Sequence, residues 1–318
     1  MRARMESALT VLQAGWWLAA VGLAAITVAG FFGSISGWLD YAAHFRPHLA
    51  AAALIAIAVA LLVFPAQRSL LPASLAALVF IVNAVVIVGE SRFRAPAATI
   101  AGANTWTIAS INLNFLNREF DRVERWIRTE RPDVVVITEV DRPWLGTLEG
   151  LADLYPHRAI GRTNFVTMLS RRPWASLEVA AGPRLQQGIL VARFEIAGKV
   201  LTVIGAHPAS PVNPRWVPSR DAELAVIGRL AAAAPGPVAA MGDFNATPWS
   251  APMRRLVRSS PLRYADLAAT TWPTFVPRWL GIKIDHIMLG KGCTVAGFRV
   301  GPDIGSDHRP VLAVIRLP

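Results

Sequence analysis

The chain has 318 residues, 53% of them apolar, with 32 Lys and Arg against 21 Asp and Glu for a formal net charge of +11. That composition, with a mean hydropathy of +0.41, excludes a disordered polypeptide. Its one cysteine, Cys293, excludes an internal disulfide framework and a thiolate zinc cluster, and leaves the redox compartment open.

The first third has the composition of a membrane segment. Residues 7–39, 47–67 and 69–89 contain no Asp, Glu, Lys or Arg. About 20 apolar residues cross a hydrocarbon core of about 30 Å as a helix, so crossings are predicted at 11–32, 49–64 and 70–88, the second being the shortest. Trp16, Trp17, Trp38 and Tyr41 lie near the ends of the first, where amphipathic rings settle at the headgroup level. Two more runs follow without a soluble interval, which argues against a cleaved signal peptide. Arg2, Arg4 and Arg68 fall on one side of the bilayer and Arg46, Arg92 and Arg94 on the other, a tie by simple count. The amino-terminal charges then place the start inside and, after three crossings, the rest of the chain outside the cytoplasm. No acidic or basic residue lies within the three spans, so an anchor is expected rather than a proton relay or ion pathway.

From residue 95 the chain changes character, with 26 basic and 18 acidic residues. Residues 95–104, Ala-rich with Pro96 and Gly102, read as a linker between an anchor at 1–94 and a domain at 105–318. A strand is predicted at 106–113, a helix at 118–131 with Phe120, Val123, Trp126 and Ile127 at helical spacing, and a β-branched strand at 134–138. This is a βαβ pattern. Further strands are predicted at 166–170, 188–196, 200–205, 238–241, 284–289 and 311–317, with a helix at 221–234 and a hairpin turn at Ala197-Gly198-Lys199. The expected class is α/β, with sheets packed against helices.

A polar residue recurs where each apolar run stops. Asn112, Glu139 and His207 follow three of them, Asp243 and Asn245 a fourth; Asp285 lies inside the run 282–289, and Asp307-His308 precedes the last. Ligands in open α/β sheets bind beyond strand ends, so these separated segments are expected to feed one site. Asn, Asp and Glu oxygens are hard donors suited to magnesium, with manganese as the alternative, whereas the set lacks the thiolates or paired histidines of a zinc site. His207 and His308 can donate hydrogen bonds or move protons near neutral pH, and Asp285 can fix the tautomer of His308. Taken singly, each has a structural explanation: an Asx-turn at Asp243 and Asn245, a surface turn at His207-Pro208, a helix cap at Asn117.

In order, Ser110-Ile111-Asn112-Leu113, Ile137-Thr138-Glu139-Val140, Ala206-His207-Pro208, Met241-Gly242-Asp243-Phe244-Asn245-Ala246-Thr247-Pro248, Ile284-Asp285-His286-Ile287 and Ser306-Asp307-His308-Arg309-Pro310 resemble the motifs of the endonuclease/exonuclease/phosphatase superfamily. With its apolar prefix, the chain is similar to the membrane-bound bacterial members. The resemblance implies a four-layered sandwich of two mixed β-sheets flanked by helices, preceded here by three transmembrane helices. It implies a divalent-metal-dependent hydrolase of phosphate esters in a bacterial inner or plasma membrane. Glu139 matches the principal metal carboxylate, with Asn112 and Asp307 contributing to metal coordination. Asp243 and Asn245 match residues that orient the attacking water and contact phosphate. His308, supported by Asp285, and His207 match the two histidines acting on phosphate and leaving group. Whether Asp243 or His308 takes the water proton stays open. Thr138 stands where many relatives have Gln, and Asn164-Phe165-Val166-Thr167-Met168-Leu169-Ser170-Arg171 departs from the usual Gly- and Ala-containing strand.

The resemblance implies a phosphate-ester substrate, with nucleic acid and phospholipid both open. Arg171-Arg172 and Arg254-Arg255 with Arg258 are candidate phosphate contacts, and Trp216, Trp249, Trp272 and Trp279 fall in predicted loops where they can stack on bases, enter a lipid interface or pack a rim. No protein partner is predicted. The alternative function is a membrane-anchored phosphate-binding or scaffold domain without turnover.

Overall fold

A computed structural model describes residues 2–63, 66–98, 105–160, 166–180, 188–196 and 198–318. Two compact units are built on residues 1–92 and on residues 93–248 with 252–318. Ala197 of the predicted hairpin, Asn164 and Phe165 of the departing strand, and the second half of the predicted linker lie outside the described residues.

The first unit is helical: α1 (Arg2–Ala29), α2 (Gly37–His44), α3 (Arg46–Val63) and α4 (Ala66–Ser91). Three stretches, Thr10–Ala29, Arg46–Val63 and Leu70–Ser91, are long and apolar enough to cross a membrane. The second begins three residues earlier than the sequence pattern suggests. Arg46 is its first residue and is fully buried, because its Nη1 donates to Asn83 Oδ1 (3.2 Å) and its guanidinium lies over the Phe31 ring, 4.2 Å from the centroid. Asn83 in turn donates through Nδ2 to Thr27 Oγ1 and to the Val79 carbonyl, both at 2.9 Å. A polar thread therefore joins α1, α3 and α4, while Asp40 Oδ2 and His44 Nε2 meet at 3.1 Å within α2.

The second unit contains β1 (Thr105–Asn112), α5 (Phe120–Glu130), β2 (Val134–Thr138), α6 (Trp144–Glu149), β3 (His157–Ala159), β4 (Val166–Ser170), β5 (Ser176–Ala180), β6 (Ile189–Ile196), β7 (Lys199–Gly205), α7 (Val217–Ala233), β8 (Val238–Asp243), α8 (Ala251–Ser259), β9 (Arg263–Tyr264), β10 (Asp285–Gly290), β11 (Thr294–Val300) and β12 (Val311–Arg316). They form two mixed six-stranded sheets, β11-β12-β1-β2-β4-β3 and β5-β6-β7-β8-β10-β9. Side chains alternate between the faces of a strand, and both faces are apolar here. Ile108, Val134, Val136, Val203, Ala239 and Met241 fill the space between the sheets. Their neighbours Ala109, Ile111, Val135 and Ile137 pack against α5 and α6, and Ile204, Val238 and Ala240 against α7 and α8. The result is helix, sheet, sheet, helix. Gly205 permits the close approach of the sheets, since a Cβ there would stand 2.9 Å from Val136 Cγ2.

Helix α5 starts two residues later than predicted. Asn117 Oδ1 accepts from Glu119 N (2.9 Å) in an Asx-turn, and the helix N-cap is Glu119, so Asn117 shapes the turn before the helix and does not cap it. At the entrance to the unit, Phe93 O accepts from Tyr264 N (2.9 Å) and Ala95 N donates to Tyr264 O (2.8 Å), so residues 93–95 run alongside β9.

Candidate active site

The site stands on parallel pairing in each sheet. β1 and β2 run parallel with Asn112 opposite Thr138, which brings Asn112 level with Glu139 one residue on. In the other sheet, β7 and β8 run parallel with Gly205 opposite Met241, so His207 and Asp243, two residues beyond each, emerge together. β10 returns antiparallel to β8 with Asp285 directly opposite Asp243. The segment before β12 is tied to β1 by Ser306, whose Oγ donates to the Asn112 carbonyl (2.8 Å) and accepts from His308 N (3.0 Å).

Asp243 is the centre. Its Oδ2 accepts from Asn112 Nδ2 at 3.0 Å and lies 3.6 Å from His207 Nε2 and 3.8 Å from His308 Nε2; its Oδ1 accepts from Asn245 N at 2.8 Å. Asn112 Nδ2 also donates to Glu139 Oε1 at 2.9 Å, and its Oδ1 accepts from Asn114 N. The amide nitrogen of Asn112 thus faces both carboxylates. Glu139 Oε1 lies 3.7 Å from His207 Nε2. Asp285 Oδ2 is 2.9 Å from His308 Nδ1, which fixes that nitrogen as the donor and turns Nε2 toward Asp243. Asp307 Oδ1 lies 4.0 Å from His308 Nε2. Asn245 Nδ2 donates to the Pro208 carbonyl (3.0 Å), linking the β8 turn to the loop after His207.

Charge sets the protonation pattern. Burial opposes charge on His308, yet the Asp285 and Asp243 carboxylates outweigh it and push the imidazole up to about 10. Burial also works against an ionised Asp243, but His308 and His207 hold its carboxyl below the ordinary carboxylate range. His207 is raised, burial being overcome by Asp243 and Glu139. His286, which the sequence reading assigns to structure, sits on β10 with Nε2 2.8 Å from the Ala246 carbonyl; burial pushes it down to about 3.

Every residue singled out as a strand-end polar group reaches this cluster, whereas the arginine pairs do not. Arg171 and Arg172 follow β4 beside Asp133, at the end of β2 remote from Glu139, with contacts of 3.9 and 3.2 Å. Arg255 on α8 pairs with Asp221 at 2.6 Å. The sequence reading missed the groups that brace the site. Asp307 is held on both oxygens, by Asn114 Nδ2 (2.6 Å) and by Trp272 Nε1 (2.9 Å). Behind the loops, Glu223 Oε2 accepts from Ala209 N (2.7 Å), and Arg220 Nη1 donates to the Asn245 carbonyl (3.3 Å). Backbone strain is concentrated here as well: of the five non-glycine residues with positive φ among those described, Asn114 (59°), Glu139 (59°) and Asn245 (50°) belong to the site.

The donor set fits a divalent cation. One oxygen each of Glu139 and Asp243 and a nitrogen of His207 lie within 4.8 Å of one another. Carboxylates at that separation repel unless a cation or proton stands between them. The groups that face them are the imidazoles of His207 and His308, both pushed toward their charged forms by these carboxylates.

Similar solved structures include D. rerio TDP2 complexed with a single-strand DNA product (20% identity, TM-score 0.57, covering 67% of this chain and 100% of that one). Others are endonuclease/exonuclease/phosphatase proteins from Beutenbergia cavernae (20%, 0.55, 68% and 72%) and Bacteroides vulgatus (17%, 0.55, 68% and 100%). No curated protein gives a significant sequence match. The family model described as "Endonuclease/Exonuclease/phosphatase family" matches residues 109–308, from β1 through His308. With the fold and this match in agreement, the chain belongs to the endonuclease/exonuclease/phosphatase family of metal-dependent phosphate-ester hydrolases.

Proposed function

We propose that the protein is a membrane-anchored phosphodiesterase that uses magnesium, or manganese in its place. The observation that carries this reading is the placement of Asp243 between two imidazoles, each turned toward it and each in carboxylate surroundings that favour its charged form. Glu139, whose carboxylate faces Asp243 in the acidic cluster, would be the principal holder of the metal and Asp307 a second carboxylate toward it, while Asn112 fixes Glu139 relative to Asp243. When bound, the cation offsets phosphate charge and acidifies a coordinated water.

The remaining steps belong to side chains. His308, with carboxylates near both ring nitrogens, is the cation of the site, so it donates to a phosphate oxygen and does not accept the water proton. Asp243, ionised and within reach, takes that proton as the water oxygen bonds to phosphorus. The ester P–O bond breaks on the opposite side, and His207 returns a proton to the leaving oxygen. Asp285 holds His308 in orientation, and Asn245 keeps the Asp243 turn against the His207 loop. The three apolar helices anchor the enzyme, and the charges at Arg2 and Arg4 favour an extracytoplasmic catalytic domain.

The test is hydrolysis of bis-p-nitrophenyl phosphate by the full chain in detergent, with magnesium and with excess chelator. Asp243→Asn and His308→Ala should each lower the rate about 100-fold or more without loss of fold. Absence of turnover by the wild type on phosphodiesters and phosphomonoesters would support the binding or scaffold function instead.

A further inference from the structure

The α/β unit places its exposed apolar side chains unevenly. Of its nine large hydrophobic residues that are exposed among those described, seven lie on three loops, each of which starts or ends at the site. Residues 113–118 follow Asn112 and carry Leu116, 85% exposed; residues 208–216 follow His207 and carry Val212 (81%) and Trp216 (42%); residues 273–282 precede Asp285 and carry Phe275 (78%), Trp279 (74%) and Leu280 (43%). These loops are built, not frayed. Trp272 and Ile282 bond backbone to backbone in both directions (3.1 and 2.7 Å), closing the third loop at its base. Thr274 N donates to the Asp307 carbonyl (2.9 Å), and Asn114 at the start of the first loop grips the Asp307 side chain. Two of the three loops therefore share Asp307 as their footing.

Each loop also carries one arginine, Arg118, Arg215 and Arg278, and no Asp or Glu lies among residues 208–216 or 273–282; Arg118 is paired with Asp141 at 3.0 Å and followed by Glu119, so Arg215 and Arg278 are the cations these loops offer. Exposed apolar tips, each loop with a tryptophan or phenylalanine, together with Arg215 and Arg278, match the interface of an anionic bilayer, where aromatic rings sit at headgroup depth and guanidinium groups pair with phosphates. The chain already supplies the bilayer. Helix α4 ends at Ser91 and the α/β unit begins at Phe93, so a single residue of chain lies between the last apolar helix and that unit.

We propose that these three loops form a lipid-docking rim that enters the headgroup region of an anionic phospholipid bilayer, and that the substrate is a phosphodiester presented at that surface, a lipid headgroup. This rests on the hydrolase reading above and narrows its substrate class. A headgroup diester stands at the depth of the aromatic tips, so docking aligns it with the site mouth.

The experiment uses the full chain in nanodiscs of phosphatidylcholine and phosphatidylglycerol. Trp279→Cys, labelled with an environment-sensitive nitrobenzoxadiazole dye, is compared with the same label at Ser176→Cys on the far end of β5; Cys293 is buried. The dye at position 279 should be quenched by doxyl-labelled lipid and shielded from aqueous iodide, and the dye at position 176 should behave in the reverse way. In parallel, the triple variant L116S/F275S/W279S should lose about tenfold or more in hydrolysis of nanodisc phosphatidylglycerol, the loss expected on removing at least one buried apolar anchor. Its rate on soluble bis-p-nitrophenyl phosphate should stay within about twofold, because none of the three side chains belongs to the chemistry. A dye at 279 quenched by iodide and not by doxyl lipid overturns the proposal. So does a triple variant that keeps lipid hydrolysis, or one that loses only cleavage of single-stranded DNA, which would assign the tips to base stacking. Absence of both the lipid and the soluble activity in the wild type defeats the hydrolase reading itself, and is thereby distinguished.

Discussion

Gly242→Ala tests the architecture of the site at one atom. Gly242 has φ of +149°, and a Cβ there would stand 1.8 Å from the Ala206 carbonyl oxygen, the residue before His207. Ordinary contact begins near 3.4 Å, so β7 and β8 would have to part by about 1.6 Å against an interstrand spacing of about 4.8 Å. Backbone strain and overpacking each contribute about 1–3 kcal/mol. The expected loss is about 4 kcal/mol, or about 8–16 °C in Tm for a unit of this size. The same displacement separates His207 from Asp243, now 3.6 Å apart, and misplacement of about 1 Å costs about 100-fold in rate. Thermal unfolding by circular dichroism and hydrolysis of bis-p-nitrophenyl phosphate read both effects on the full chain. Gly297→Ala is the control, since its Cβ would meet nothing closer than 4.0 Å. A Gly242→Ala protein with wild-type Tm and rate would refute the placement of the His207 and Asp243 strands.

Glu139→Gln should raise the magnesium concentration for half-maximal activity about 10–100-fold, as measured by metal titration, while leaving Tm near the wild-type value. Trp272→Phe removes the indole donor to Asp307 and should weaken magnesium activation about tenfold with a smaller effect at saturating metal, a split that mere loosening of the loop would not give. His286 predicts a pH dependence of stability. Its folded value of about 3 lies below the unfolded 6.5, so its contribution is complete above pH 6.5 and is lost as pH falls toward 3. The loss is about 1.4 kcal/mol per pH unit within that window. Urea unfolding at pH 7.5 and pH 5.0 should show a decrease of about 2 kcal/mol that is absent in His286→Asn. Equal pH dependence in both proteins would remove His286 as the cause.

Reading the sequence located the interior of the fold and passed over its margins, for a physical reason. The predicted 134–138 and 166–170 are the observed β2 and β4, where all ten residues are buried and the apolar runs are unbroken. The four strands not predicted, β3, β5, β9 and β11, are the outermost of the two sheets. An edge strand answers to one neighbour and to solvent: β5 is mostly exposed, and β11 carries an irregularity between Val295 and Gly297 that breaks the alternation. The catalytic groups were legible because each punctuates a buried run. Their supports were not, since Trp272 lies 35 residues from Asp307 and Asn114 lies 193 away, and only register brings them together.

The buried Arg46 bears on how the helical unit is made. Its partner Asn83 lies 37 residues later in the chain, so during translation α3 emerges before the amide that will receive its guanidinium exists. Arg46 opens α3, where a long side chain reaches back to the headgroups, so its guanidinium withdraws into the bundle and α3 reaches its final packing only together with α4. The two helices are thus expected to enter the bilayer as a hairpin, with α1 completing the bundle through Thr27.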